Sequence, residues 1–99
     1  MLHIVNQSPA RTSALASCLR LAQDGAALLL IEDAVYAATA AGAAAAGLAG
    51  ALARLQVYVL QPDLAARGLA GALLAGVQPV GYDGFVELVA RHPLNQSWL

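Results

Sequence analysis

Lysine is missing from this sequence altogether, cysteine and tryptophan occur once each, and charged residues make up only 11% of the 99 positions. Each shortage excludes a class of function. The positive charge rests on five scattered arginines, Arg11, Arg20, Arg54, Arg67 and Arg91, within a net charge of -1. A protein that grips nucleic acid needs clustered cations to displace counterions from phosphates, so direct nucleic-acid binding is not expected. A single cysteine, Cys18, cannot make an intrachain disulfide, a CxxC redox pair or a cysteine-based zinc site, and it fits a reducing cytoplasm. No GxGxxG or P-loop pattern occurs, and neither His3 nor His92 belongs to a HExxH pair, so no nucleotide cofactor or metal is expected from motifs. The first six residues have no basic lead-in and no long apolar core behind them, which argues against a signal peptide.

What the chain has instead is apolar residues, at 60% of positions, against roughly 45 to 50% in an ordinary soluble domain. Its length suits one domain, residues 1–99, and a domain of that size buries only about two-thirds of the surface its unfolded chain exposes. Much of the apolar excess must therefore lie outside the domain's own core, and burial against other subunits is the simplest outlet. Alanine, a weak hydrophobe that surface helices tolerate, supplies part of that excess. Residues 34–53 carry no charge and match a membrane span in length. Their only large aliphatics are Val35, Leu48 and Leu52, however, and Gly42, Gly47 and Gly50 interrupt them, so the segment would gain little from lipid.

Strand and helix signals alternate along the chain. Leu2-His3-Ile4-Val5 reads as a first strand, closed by Asn6, Ser8 and Pro9. Thr12 or Ser13 can cap a helix whose Leu15, Cys18, Leu19 and Ala22 share one face, and Asp24-Gly25 ends it. The apolar run at 26–31 lacks alternation, as a strand covered on both faces should. Asp33 is read as the N-cap of a short helix through Tyr36 and Ala38, with an alanine-rich helix from Gly42 to about Arg54. Residues 56–60 form a third buried strand, and Pro62-Asp63 opens a helical turn. Residues 76–80 form a fourth strand placed at an edge by Pro79. Phe85, Leu88 and Val89 mark a last helix, stopped by Pro93. This alternation predicts an α/β layer structure with right-handed crossovers.

Few side chains suggest chemistry. Cys18 could carry sulfur as a persulfide, which needs only one thiol per protein. Its place in mid-helix among Leu15, Leu19 and Leu21 suits an inert core cysteine equally. Glu32 and Asp33 stand at the carboxyl end of the second strand, where open α/β sheets place ligands, and could bind Mg²⁺. Adjacent acids at such a junction also serve as a cap and a solvated charge. His3 is read as a strand residue and His92 as a helix-end residue whose partial charge suits the last carbonyls. Trp98 is either docked on its own domain or an interface anchor.

Several segments in order, Met1-Leu2-His3-Ile4-Val5-Asn6-Gln7-Ser8-Pro9, Ser17-Cys18-Leu19-Arg20-Leu21, the run from Leu28 through Glu32-Asp33 to Ala38, Val57-Tyr58-Val59-Leu60 with Asp63-Leu64-Ala65-Ala66-Arg67-Gly68, Tyr82-Asp83-Gly84-Phe85-Val86, and His92-Pro93 with Trp98, resemble the TusB/DsrH family. The resemblance spans nearly the whole chain. It implies a small three-layer α/β/α domain with a mainly parallel sheet, of the DsrE/F/H-like kind. It also implies a cytoplasmic heterohexamer with TusC/DsrF-like and TusD/DsrE-like subunits, which passes sulfur towards the 2-thiouridine of the tRNA wobble position. In such assemblies the principal persulfide cysteine belongs to the TusD/DsrE subunit, so the expected role of this chain is mainly structural. Cys18 matches a first-helix cysteine of DsrH-type members, whose assemblies serve sulfur oxidation. A sulfurtransferase using Cys18 is the alternative.

Overall fold

Residues 1–98 are described by a computed structural model of the chain, apart from the side chains of residues 44–46. The elements run β1 (Leu2–Val5), α1 (Ala14–Leu21), β2 (Ala27–Leu30), a 3₁₀ segment (Glu32–Ala38), α2 (Ala40–Ala46), α3 (Leu48–Ala51), β3 (Gln56–Leu60) and α4 (Gln61–Ala66). A short 3₁₀ turn (Ala70–Ala72), β4 (Gln78–Val80), α5 (Tyr82–Arg91) and β5 (Asn95–Trp98) follow.

The five strands form one sheet in the order β4-β3-β2-β1-β5, every pair parallel. From β1 to β4 the chain moves outward one strand at a time, and right-handed crossovers put every intervening helix on the same face. The last connection runs back across the sheet from β4 to β5, so the same handedness places α5 on the opposite face. The side chains follow suit. Val5, Leu28, Leu30, Val57 and Val59 pack with Leu15, Cys18, Val35, Leu48 and Leu64 on the helix-rich face. Leu2, Ile4, Ala27, Leu29 and Tyr58 pack with Leu88 and Phe85 of α5 on the other. This is the three-layer α/β/α arrangement with a wholly parallel sheet.

The unalternating apolar runs are explained by this double cover, because all four residues of β1 and all four of β2 are buried. Each fully buried leucine there contributes about 1.5 to 3 kcal/mol. Pro79 lies in β4, an edge strand, where one flank of the main chain needs no ladder partner.

Four local expectations differ from the structure. The alanine-rich stretch is two short helices, because Gly47 takes a left-handed φ of 76° and closes α2. The fourth strand is only Gln78–Val80, after Gly76 turns with φ 99°. Asp33 is not a cap: it lies within the 3₁₀ segment and pairs with Arg67 instead. The polar tail is a fifth strand, pairing Asn95 to Trp98 with Leu2 to Val5; Leu99 lies outside the described residues. Among the described residues no helix is long and apolar enough to cross a membrane.

Candidate functional site

The parallel strands all point one way, so their carboxyl ends gather the loops that follow β1 and β2. There a polar cavity of about 200 Å³ is lined by Asn6, Gln7, Ser8, Arg11, Glu32 and Asp33. Glu32 leaves β2 with a φ of 50°, a conformation that side-chain-bearing residues rarely adopt. Two contacts hold it: its N–H donates to Asp63 Oδ2 at 2.6 Å, and Asn6 Nδ2 donates to its Oε2 at 3.4 Å. Asn6 Oδ1 is buried without a partner among the described residues.

The neighbouring carboxylate is differently employed. Asp33 Oδ1 accepts from Arg67 Nε at 3.0 Å and Nη2 at 2.9 Å, while Arg67 Nη1 donates to the carbonyl of Asp63. Both side chains are partly exposed, so the ion pair contributes about 1 kcal/mol or less. The structure thus brings Glu32 and Asp33 to one cavity as the sequence suggested, and adds Asp63 and Arg67 from α4 and the turn after it. Nothing local in the sequence signals that link, since Asp33 and Arg67 lie on different crossovers. Asp33 is neutralised by a guanidinium, and no cluster of three metal-ligating side chains forms among the described residues.

Cys18 faces the sheet from α1 and has no exposed surface. It lines neither this cavity nor the larger one described next. Burial pushes its thiol up to about 11. The reactive form is the thiolate, which at that value is on the order of one molecule in several thousand at pH 7.5.

A second cavity, about 590 Å³, opens at the amino ends of β1 and β5, with Met1, His3, Leu21, Leu94, Gln96 and Trp98 in its lining. Here His3 and Trp98 meet: Trp98 Nε1 donates to His3 Nδ1 at 3.1 Å, with ring centroids 6.1 Å apart. Trp98 is therefore docked on its own domain through β5. Burial, and secondarily the nearby amino terminus, lower the imidazole pKa from its ordinary value. His92, by contrast, ends α5 with Nδ1 2.8 Å from the Leu88 carbonyl, as a helix-end histidine should.

Comparison with known proteins adds to this geometry. The family described as DsrH like protein matches residues 7–94. Protein TusB of Shigella flexneri is 39% identical over 98 residues, covering 99% of this chain and 100% of the relative. Protein TusB of Enterobacter sp. (strain 638) is 40% identical with the same coverage. A solved structure of a protein of unknown function from Methanobacterium thermoautotrophicum shares the fold, with a TM-score of 0.73, 17% identity and coverage of 97% of this chain and 95% of that one. Matched by the DsrH family model over residues 7–94 and by TusB relatives along almost its entire length, this chain belongs to the TusB/DsrH family.

Proposed function

We propose that this chain is a non-catalytic subunit of a cytoplasmic sulfur-relay complex, acting as one domain over residues 1–99. In this reading it joins TusC/DsrF-like and TusD/DsrE-like subunits in a heterohexamer that supports 2-thiolation of the tRNA wobble uridine. The observation that carries the reading is end-to-end similarity to proteins named TusB. Two features support the structural role within it. Cys18 is sealed in the core with its thiol held protonated, the reverse of what a sulfur-carrying thiolate needs. The scattered arginines and net charge of -1 suit a subunit that acts on tRNA only through its partners.

The family's DsrH description favours one second reading, a subunit of a DsrEFH-type sulfur-oxidation assembly. Both readings use the same partners by type, and neighbouring genes separate them.

The test is co-expression with the TusC- and TusD-like partners, with Cys18 intact or as Cys18→Ser, followed by assays of assembly and of sulfur transfer to tRNA. A Ser variant that assembles and supports normal transfer fits the structural role. Intact assembly with collapsed transfer makes Cys18 a relay thiol and defeats this proposal.

A further inference from the structure

We propose that β5 is a proton-released strap: uptake of one proton at His3 breaks the bond that docks Trp98, and β5 then parts from β1 while the rest of the sheet stays folded. The inference concerns this chain alone and stands apart from the sulfur-relay reading.

The first support is how little else holds β5. Asn95, Gln96 and Ser97 are all exposed, and Trp98 is the only residue of the strand that packs against the core. The strand ends the sheet, so β1 is its single ladder partner among the described residues. The Leu2 N–H donates to the Leu94 carbonyl at 3.0 Å, which by the parallel pattern aims the N–H groups of Gln96 and Trp98 at β1. Beyond that ladder, the docking of β5 depends on one indole.

The second is where a proton can go. The Trp98 Nε1–H only donates, so His3 Nδ1, 3.1 Å away, must accept, and the neutral ring carries its proton on Nε2. The one basic atom left on the ring is therefore Nδ1, the atom that holds Trp98. A proton from solvent forms an Nδ1–H bond there and leaves two N–H groups pointing at each other. The imidazolium gains nothing from the indole in exchange. The ring centroids are 6.1 Å apart and tilted by 40°, and the contact is made at the indole's N–H edge, the positive side of its quadrupole, not over its face.

The third is the charge around the ring. Burial, and secondarily the amino terminus, hold the imidazole below its ordinary 6.5. The turn after α1 contributes one further charge to the adjoining cavity, Asp24, which Arg54 engages at 3.0 Å. Leu21 of α1, Ala26 before β2, and Gln96 and Trp98 of β5 contribute none. The carboxylate in reach thus already has its cation. When β5 parts, the His3 ring meets water and its affinity for a proton returns towards the ordinary value. Open β5 then binds the proton more tightly than docked β5, so acidification below 6.5 favours opening by up to about tenfold per pH unit, until the docked form titrates as well.

The test is amide hydrogen exchange of the full chain, followed by NMR between pH 7 and pH 4.5 and corrected for intrinsic exchange rates. Protection at Gln96 and Trp98 should fall about threefold or more over that range, in step with the titration of the His3 ring. Throughout, it should lie at least about tenfold below that of Val57 and Val59 in β3 and barely respond to 1 M urea, because a strap opens little surface. His3→Asn places an acceptor oxygen near the position of Nδ1 and does not titrate, so protection of β5 should no longer depend on pH. His3→Phe removes the acceptor, and β5 should be weakly protected already at pH 7. The strap is ruled out if Gln96 and Trp98 keep their protection while His3 titrates, or if His3 takes up no proton above pH 4.5. It is equally ruled out if β5 matches β3 in protection and urea response, or if both variants lose β5 protection with acid as the parent does.

Discussion

At the scale of single residues, burial sets the chemistry of the two groups that look reactive in the sequence. Cys18 has a thiol pushed up to about 11 and no exposed surface. In the folded chain at pH 8 it should react with Ellman's reagent only at the rate at which α1 opens, at least a hundredfold slower than in the urea-unfolded chain. Labelling at the unfolded rate would contradict its burial. Replacing it with Ser puts a hydroxyl into an apolar cluster and should cost about 1 to 3 kcal/mol, read as a lower midpoint in urea. His3 gives a pH signature of known sign. Its folded pKa lies below the ordinary value of 6.5, so on acidification the unfolded chain takes up the proton first. Between pH 6.5 and the lowered folded value the unfolded state binds more protons, and stability falls as pH falls. A melting temperature that drops from pH 7 to pH 5 in the parent chain, and drops less in His3→Phe, is the expected outcome.

At the scale of elements, two glycines that look alike in the sequence separate sharply in the structure. A Cβ on Gly42 would stand 2.0 Å from the Tyr36 carbonyl oxygen, where the 3₁₀ segment meets α2 and Thr39 Oγ1 accepts from the Gly42 N–H. Gly50, in α3, meets nothing within 4 Å and has no positive φ. Gly42→Ala should therefore destabilise by more than about 2 kcal/mol, since the junction must shift, whereas Gly50→Ala should stabilise by roughly 0.5 to 1 kcal/mol. Urea melts of the two variants distinguish them. The same contrast explains how much of the fold could be read beforehand. Buried strands such as Leu28-Leu29-Leu30 announce themselves by unbroken apolar character, and α5 by the spacing of Phe85 and Leu88, because these signals are local. The strand Asn95-Gln96-Ser97-Trp98 carries no such pattern. It is a strand because β1 offers an open flank, a property of the sheet and not of the segment. The candidate sites divide in the same way. Glu32 and Asp33 were legible from their place at a strand end, but Asp33's pairing with Arg67 and Trp98's bond to His3 join residues that only the tertiary fold makes neighbours.

At the scale of the whole molecule, the apolar excess has a visible address. Tyr82, Val86 and Val89 are exposed at 62%, 68% and 36% along one stripe of α5, the sole helix on its face of the sheet among the described residues. Few charges are available to drive association in their place, since two of the five arginines, Arg54 and Arg67, are already engaged within the chain. Self-association of the isolated chain should then carry a hydrophobic signature. In sedimentation velocity it should strengthen on warming from 5 to 25 °C, because apolar burial weakens in the cold. It should change less than about twofold between 50 and 500 mM NaCl, because little of it depends on screened charge. Val86→Lys, at the middle of the stripe, should weaken association about tenfold and leave the melting temperature within a few degrees of the parent, since the side chain lies outside the core. Association that dissolves in salt and ignores Val86→Lys would place the contact elsewhere and make it electrostatic.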